Sequence, residues 1–484
     1  MWRSPCIAFP LLALSCTGQR GLGAGRPSDA PETGGGATPL VLLLTVDSVN
    51  RSFLGVNHPR GWDTTPYLDA LFQQGTLFPN TATVRGYTGP AMASFLTGVY
   101  PRSHGLRSND GAWVDSGGAY PLLHERFHDA GYYTLVSQSN RCEFQEIGVD
   151  VADCNSDAAG TSTGDQALDD ATLVDQLLLT MDQAPAGRPV YAWVHLFDPH
   201  DAYDIRQPWY DAFHPEEYTG PIAADDNVQL SKVTLGEVEY TEADAEYVEA
   251  VYASQLRDTD ERIKTLVEGI EARGLADHMT LVVGFDHGET VGTRREYFTH
   301  GCSFFNEVQA VSWFVMGPGL PAGQVLEGWV SATDFAPTLV ELAGLEWDGD
   351  VEGHSLVQHI VTGTEPTAPA FFERSTETAG VYTNRPPNMK YAITPLGSYD
   401  ACRPYDDAED MTWTNDPEEL YDLTADPGEL VNLANGVAPR ARATARAALC
   451  EWVNAKPWLH AEGGDPESVV WQACNPGGVL GAAR

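Results

Sequence analysis

Three stretches of the chain place metal-binding residue types directly after runs of apolar residues. The runs LVLLLTV, VYAWVHLF and MTLVVGF are followed, respectively, by Asp47, by Asp198 with His200, and by Asp286 with His287. Carboxylate and imidazole groups act as acid–base groups and as ligands, and a mixed set suits a divalent metal such as Zn, Mn, Mg or Ca. A lone Asp after a strand is more often a cap or turn residue, but three such strand ends favour one shared site.

A candidate nucleophile lies in the segment TVRGYTGPAMASFLTG. Pro90 suits the first position of a short helix that Gly98 would end, so Thr88 is predicted just before the helix N-terminus. Free amides and the positive end of the helix stabilise an anion there, whether a threonine alkoxide or a bound sulfate or phosphate. The alternative is that Thr88 only caps the helix, which is the commonest role of such a threonine.

These residues require a scaffold in which strand ends meet. From residue 40 onward, apolar runs alternate with helical patterns, including one from Thr65 to Gly75 and a long one over 241–273. This alternation predicts an α/β core over 39–345, a mostly parallel sheet flanked by helices, with ligands beyond the carboxyl ends of its strands.

The sequence pattern changes after residue 346, where the predicted strands become short, as in AFFER, GVYTN and MKYAITP. A terminal helix is predicted at about 438–453. We therefore expect a smaller C-terminal α+β subdomain over 346–484.

Composition excludes several classes of protein. The chain has 484 residues, of which 43% are hydrophobic and 10% aromatic, so it can bury a large core and is not disordered. Its formal charge of −40 argues against nucleic-acid binding, because a phosphate backbone is bound by dense basic surface.

The first residues are typical of an export signal. A basic start is followed by a short apolar run, and residues 1–16 are predicted to be a signal peptide, with 17–38 a flexible tether. The stretch LALSC is similar to a bacterial lipobox, which would attach the protein to a membrane through a lipidated Cys16. An ordinary cleaved signal is the equal alternative. Either predicts an exported protein: periplasmic, an outer-membrane lipoprotein or extracellular.

Six cysteines follow the signal region, and an even number in an exported chain permits three disulfides. Cys142 and Cys154 are close enough in sequence to close one loop. Cys402, Cys450 and Cys474 compete for partners, and Cys302 is the candidate free thiol.

A series of motifs in order resembles the sulfatase family, within the alkaline phosphatase superfamily, over nearly all of residues 39–433. The motifs are PLVLLLTVDSVNRSFLG, TTPYLDALFQQGTLFPN, LTGVYPRSHGL, FDPHDAY, FDHGE, FTHG, TDFAPTLVELAGL and ELYDLTADPGELVNL. The resemblance implies an alkaline-phosphatase-like core and a metal held by Asp47, Asp286 and His287.

The resemblance also assigns roles around the metal. His200 and His300 would contact the leaving group or the transferred oxyanion, or hold a second metal, with Asp198 and Arg85 binding substrate. For each histidine, the alternative is an imidazole hydrogen-bonded within a turn.

The chain departs from the family pattern at three positions. Thr88-Gly-Pro90-Ala-Met92 stands where sulfatases have the C-x-P-x-R motif whose first residue becomes formylglycine, and Ser48 replaces the second aspartate of the opening motif. Threonine is not a substrate for that modification, whereas phosphodiesterases and phosphoglycerol or phosphoethanolamine transferases of the wider superfamily use a threonine nucleophile.

The sequence thus predicts a metal-dependent, formylglycine-independent hydrolase or transferase of sulfate or phosphate esters, with phosphoester chemistry preferred. The substrate would be a small-molecule, glycan or lipid-headgroup ester. The alternative is a non-catalytic surface lipoprotein that binds an anionic glycan or lipid headgroup, and the metal content of the purified protein separates the two.

Overall fold

The computed structural model describes residues 39–55, 58–109, 119–139, 144, 147–154, 170–214, 216–234, 236–292, 298–301, 304–375, 378–393, 418–434, 436–455 and 469–475. They belong to one compact unit. The predicted signal peptide and tether lie outside the described residues, and the boundary at residue 345 stays a prediction.

Within these residues, fifteen strands form three sheets. They are β1 Leu40–Val46, β2 Thr76–Ala82, β3 Tyr133–Gln138, β4 Val151–Cys154, β5 Val190–Leu196, β6 Met279–Phe285, β7 Thr290–Val291, β8 Phe298–Thr299, β9 Ala310–Met316, β10 Gln324–Val325, β11 Val330–Ser331, β12 Ala370–Ser375, β13 Thr378–Tyr382, β14 Met389–Ile393 and β15 Glu418–Asp422.

The same described part of the chain contains thirteen α-helices. They are α1 Pro66–Phe72, α2 Thr88–Thr97, α3 Pro101–His104, α4 Leu123–Asp129, α5 Asp170–Met181, α6 Trp209–Phe213, α7 Asn227–Thr234, α8 Glu242–Ala272, α9 Asn306–Gln309, α10 Phe335–Leu342, α11 Val357–Thr362, α12 Pro439–Ala455 and α13 Val469–Cys474.

The large sheet has the order β10-β2-β9-β6-β1-β5-β3-β4, with β11 also paired to β2. All its pairings are parallel except those of β9, which runs antiparallel to β2 and β6. Both β1 and β5 are buried at all seven positions, as expected of continuous apolar strands covered on two faces. The predicted α/β core with a mostly parallel sheet is confirmed.

The register of the central strands aligns their carboxyl ends. Val46 of β1 is paired with Leu196 of β5 on one side and with Phe285 of β6 on the other. The residues that follow these three strands therefore emerge at one edge of the sheet, as the sequence predicted.

Two predicted helices have nearly the expected bounds and one is shorter. The helical pattern over 241–273 is α8, and the terminal helix is α12. Helix α1 ends at Phe72, before the predicted stop at Gly75. Gly75 instead allows close packing, because a Cβ atom there would lie 2.3 Å from the Val315 carbonyl oxygen.

The separate C-terminal sheet is antiparallel, in the order β12-β13-β14-β15, and α12 packs against it. A disulfide between Cys450 and Cys474 joins α12 to α13. This selects one of the pairings left open by the sequence. Cys154 is also disulfide-bonded, but its predicted partner Cys142 lies outside the described residues, as do Cys302 and Cys402.

A buried arginine ties the C-terminal helix to the segment after α2. Arg102, in α3, donates from Nη1 to the Trp452 carbonyl oxygen at 2.9 Å, and its guanidinium lies 3.5 Å from the centroid of the Trp452 ring. Its Nη2 donates to Glu352 at 3.3 Å. The side chain is only 2% exposed, so α12 covers a charge that belongs to the core.

Within the described part of the chain, none of the helices combines the length and apolar character needed to span a membrane.

Candidate active site

The aligned strand ends bring the three predicted metal ligands together. One ligand atom each from Asp47, Asp286 and His287 can be chosen so that all lie within 4.8 Å of one another, and the three side chains are almost fully buried. Asp47 follows β1 and the other two residues follow β6. The sequence-predicted juxtaposition of these residues is therefore present in the structure.

The hydrogen bonding of Asp286 suits a cation. Its Oδ1 accepts two backbone N–H groups, from Ser48 at 3.1 Å and from His287 at 2.7 Å. Its Oδ2 is buried and has no hydrogen-bond partner among the described residues. A buried carboxylate oxygen without a donor is costly, so this set of two carboxylates and an imidazole fits a divalent metal ion.

The tautomer of His287 also leaves a ligand atom available. Its Nδ1 lies 3.0 Å from the carbonyl oxygen of Gly288, which can only accept, so Nδ1 carries the proton. The lone pair is then on Nε2, and Nε2 lies 3.7 Å from Asp47 Oδ1 and 3.5 Å from Asp286 Oδ2.

A strained turn holds Asp47. Ser48 has a φ of 56°, in the left-handed region that non-glycine residues seldom adopt, and its hydroxyl donates to Asp47 Oδ1 at 2.9 Å. The hydroxyl of Tyr252, on α8, donates to the Ser48 carbonyl and accepts from Asn50 N–H, both at 2.8 Å. Tyr252 therefore fixes the turn from the neighbouring helix.

Thr88 is the first residue of α2 and not its cap. Tyr87 occupies the N-cap position, no side chain caps from there, and the N–H of Gly89 is instead bonded to Asn109 Oδ1 at 2.9 Å. Thr88 Oγ1 lies 3.4 Å from Asp47 Oδ2 and 3.3 Å from His287 Nε2. The structure thus places the hydroxyl toward the metal-ligand set rather than on the helix backbone. Gly98 ends the helix with a φ of 71°, as predicted.

A second group of polar side chains adjoins the first. Ligand atoms of His200, Asp201 and His300 also lie within 4.8 Å of one another, and His200 Nδ1 is 2.7 Å from Asp201 Oδ1. The His300 ring centroid is 4.4 Å from that of His287 and 4.8 Å from that of His200. His300 Nδ1 lies 3.0 Å from Glu289 Oε2. The two predicted histidines therefore lie beside the metal-ligand set.

Burial and neighbouring carboxylates set the charges of the three histidines. Burial, and then the charge of His300, lower the pKa of His287 to about 3. Burial, and then His200, lower the pKa of His300 to about 4. For His200, burial acts to lower the pKa, but Asp201 and Asp47 outweigh it and hold the pKa well above its usual value. Two neutral imidazoles and one charged one therefore share the site.

The pKa values of the two carboxylates in the metal-ligand set are shifted in opposite directions. Burial raises the pKa of Asp286 well above its usual range, and the charge of Asp47 adds to the effect. For Asp47, burial also acts to raise the pKa, but the neighbouring histidines, His200 first, hold it below its usual range. Two carboxylates this close repel each other, and a divalent cation would relieve that repulsion.

Two predicted substrate-binding residues have other partners. Asp198 Oδ2 accepts from Arg206 at 2.8 and 3.0 Å, and its Oδ1 accepts from Gln255 at 3.2 Å. The Asp198 carboxylate is thus engaged by Arg206 of its own loop and by Gln255 of α8. The guanidinium of Arg85 lies 5.5 Å from the centroid of the Tyr87 ring. For both residues, substrate contact stays a prediction.

The sequence reasoning did not single out Asp201 or His195. Asp201 directly follows His200, so its position beside a candidate histidine was the signal available. His195 lies inside β5, where an imidazole in an apolar strand is itself unusual, and its Nε2 is 3.5 Å from Asp47 Oδ2.

The chain belongs to the sulfatase family, because the sulfatase family model matches residues 39–345. A choline-sulfatase of Rhizobium meliloti is 26% identical over 448 residues, which cover 82% of each chain. Chicken arylsulfatase K is 26% identical over 206 residues, covering 40% of this chain and 35% of the relative.

Solved structures show the same alkaline-phosphatase-like fold. A protein solved with its substrate D-glucosamine-2-N,6-O-disulfate has a TM-score of 0.67 at 17% identity, covering 86% of this chain and 98% of its own. A phosphonate monoester hydrolase of Agrobacterium radiobacter has a TM-score of 0.66 at 20% identity, covering 86% and 96%. The predicted fold class is therefore confirmed.

Proposed function

We propose that this protein is a metal-dependent hydrolase or transferase of sulfate or phosphate esters in which Thr88 is the nucleophile. The observation that carries the proposal is the position of Thr88 Oγ1, 3.4 Å from Asp47 Oδ2 and 3.3 Å from His287 Nε2 at the N-terminus of α2. A threonine that only capped the helix would direct its hydroxyl to the backbone.

Asp47, Asp286 and His287 would hold the metal. When bound, a divalent ion lowers the pKa of a coordinated hydroxyl and neutralises charge on the transferred group. The unpartnered Oδ2 of Asp286 and the available lone pair of His287 Nε2 support this assignment.

The residues of the chain then account for each bond that changes. The Thr88 hydroxyl loses its proton to one of the acceptors in reach, and Oγ1 forms a bond to phosphorus or sulfur while the ester oxygen leaves with its bonding electrons. The charged imidazole of His200 donates a hydrogen bond to the departing or transferred oxygen. Water, or an acceptor alcohol, then attacks the same centre, breaks its bond to Oγ1 and returns a proton to Thr88.

The nucleophile supports a preference for phosphoesters. A formylglycine hydrate has a second hydroxyl, so its sulfated intermediate can collapse by breaking a carbon–oxygen bond. Thr88 has one hydroxyl, so each turnover requires a second attack on the transferred centre. A sulfothreonine would be long-lived, whereas a phosphothreonine can be hydrolysed at the metal.

The relatives leave several substrate types open. They include a choline-sulfatase, a protein that acts on a disulfated glucosamine and a phosphonate monoester hydrolase. The proposal is accordingly limited to small-molecule, glycan or lipid-headgroup esters.

The proposal is tested with nitrophenyl phosphate, bis-nitrophenyl phosphate, a nitrophenyl phosphonate and nitrophenyl sulfate, each assayed with Ca²⁺, Mg²⁺, Mn²⁺ and Zn²⁺. We expect multiple turnover on at least one phosphorus ester, and a loss of about a thousandfold or more in Thr88→Val. Thr97→Val is the matched control, because Thr97 lies in the same helix and its hydroxyl donates to the Ala93 carbonyl at 2.6 Å.

Mass spectrometry of the quenched reaction should show a phosphate-sized adduct on Thr88. Faster turnover on the sulfate ester than on every phosphorus ester, lost in Thr88→Val, would overturn the phosphoester preference. A purified protein that binds none of the four metals and cleaves no ester would favour the non-catalytic, headgroup-binding alternative.

A further inference from the structure

Two polar side chains are paired in the middle of the otherwise apolar central strands. Thr45 of β1 and His195 of β5 are register partners, and both are completely buried. The other residues of these two strands are aliphatic or aromatic. A buried imidazole is costly unless its nitrogens are paired, so its presence here calls for a specific partner.

The contacts of Thr45 determine the tautomer of His195. The indole N–H of Trp193, which can only donate, is bonded to Thr45 Oγ1 at 3.0 Å. The hydroxyl proton of Thr45 then has two acceptors, His195 Nδ1 at 2.8 Å and the Val194 carbonyl at 3.4 Å. The nearer acceptor is Nδ1, so this hydrogen bond favours the tautomer with the ring N–H on Nε2.

The protonated Nε2 of His195 faces the metal-ligand set. It lies 3.5 Å from Asp47 Oδ2, while Asp47 Oδ1 is held by the Ser48 hydroxyl at 2.9 Å. Oδ1 therefore accepts a hydrogen bond from Ser48, while Oδ2 faces the ring nitrogen Nε2 of His195, which has no closer hydrogen-bond partner among the described residues. Ser48 belongs to the strained turn and His195 to the neighbouring strand.

We propose that His195 is a positioning residue for the metal, acting through Asp47 and itself oriented by Trp193 and Thr45. The inference rests on the proposed function, because it takes Asp47 to be a metal ligand. Groups that orient a ligand in this way contribute about 10- to 100-fold to metal affinity. The hydrogen-bonded series of Trp193, Thr45 and His195 would hold the Asp47 carboxylate in one orientation before the metal ion binds.

A pair of amide substitutions separates positioning from simple packing. In His195→Gln the amide nitrogen can occupy the place of Nε2 and reach Asp47, whereas in His195→Asn it occupies the place of Nδ1 and reaches only Thr45. Both variants bury one amide in the same strand. The readout is equilibrium binding of Mn²⁺ to the metal-free, full-length protein, followed by electron paramagnetic resonance without substrate.

We expect His195→Asn to weaken Mn²⁺ binding by about 10- to 100-fold and His195→Gln to stay within about fivefold of wild type. Thr45→Val removes the hydroxyl at nearly constant shape and should also weaken Mn²⁺ binding. If His195→Asn does not fold, the Mn²⁺ affinity of Thr45→Val tests the inference in its place. Equal, wild-type Mn²⁺ affinity in the folded variants, with only lower thermal stability, would overturn the inference. A wild-type protein that binds no Mn²⁺, Zn²⁺ or Ca²⁺ would overturn the proposed metal site itself.

Discussion

The substitution Asp286→Asn should stabilise the metal-free protein and destabilise the metal-loaded protein. The side chains of Asp47 and Asp286 are buried, with ligand atoms within 4.8 Å, and burial together with Asp47 raises the pKa of Asp286. Two unit charges at that distance repel by about 3.5 kcal/mol at an effective dielectric constant of 20. The amide removes this repulsion, and its oxygen can still accept the N–H groups of Ser48 and His287.

The expected magnitudes can be measured by urea unfolding at pH 8. In EDTA, Asp286→Asn should raise the free energy of unfolding by about 1–3 kcal/mol. This gain is smaller than the full Coulomb repulsion, because protonation of Asp286 already relieves some of the repulsion in wild type. With Mn²⁺ at a hundred times its dissociation constant, wild type should gain about 2.7 kcal/mol and the variant almost nothing. The order of stability of the two proteins would then reverse between EDTA and Mn²⁺ when the gain of the variant in EDTA is below about 2.7 kcal/mol.

The matched control is Asp170→Asn. Asp170 is also a buried carboxylate with a raised pKa, owing to burial and then to Asp198, but it accepts the N–H groups of Phe197 and Asp198 away from the metal-ligand set. This variant should keep the full gain from Mn²⁺. An Asp286→Asn protein that is less stable than wild type in EDTA, or that gains as much from Mn²⁺, would refute the assignment of Asp286.

Two further predictions concern buried groups around the site. His124 is buried parallel to Trp193, and burial lowers its pKa to about 3. Below pH 6.5 the unfolded chain therefore binds a proton that the native state rejects, which costs about 2 kcal/mol of stability between pH 7 and pH 5. His124→Phe should remove that loss in urea unfolding at the two pH values, and an unchanged difference would contradict the reasoning. Tyr252→Phe leaves the Ser48 carbonyl and the Asn50 N–H without their partner, so it should lower the free energy of unfolding by about 1–3 kcal/mol and reduce Mn²⁺ affinity. Tyr191→Phe is its control, because that buried hydroxyl has no hydrogen-bond partner among the described residues, and an equal effect of the two changes would argue against a specific role for Tyr252.

The metal-ligand set could be predicted because it follows from strand order and burial. Continuous apolar runs identify β1 and β6, and a residue that follows a buried parallel strand must emerge at the carboxyl edge. The sequence alone therefore predicts that Asp47 and Asp286 lie at the same edge of the sheet. That Asp47 and Asp286 share one metal came from the family resemblance rather than from the spacing.

The loop after β5 could not be predicted in the same detail. Asp198 and His200 are two residues apart, yet the Asp198 carboxylate pairs with Arg206 while His200 lies beside His300. Such a division depends on the path of the loop and on which charges α8 presents to it. The role of His195 was hidden for a different reason, because an inward-facing residue of a buried strand is normally assigned to the core.

Similarly, the spacing of Thr88 and Pro90 located the start of α2 to within two residues, but it could not separate a capping threonine from a nucleophile. That distinction depends on Asn109, which bonds the Gly89 N–H from a distant loop. A capping partner from another part of the chain cannot be recognised in the sequence of the helix itself.

The Arg102 contact limits how this protein can be recombined with its relatives. The family match ends at residue 345, which invites exchange of everything beyond that point as a module. Yet the guanidinium in α3 is covered by Trp452 and paired with Glu352, both from the region that would be replaced. A chimaera without equivalents of both would carry a buried, uncompensated cation only five residues beyond the end of the helix that presents Thr88. Successful exchanges should therefore be those that transfer the arginine together with its two partners, or that remove all three at once.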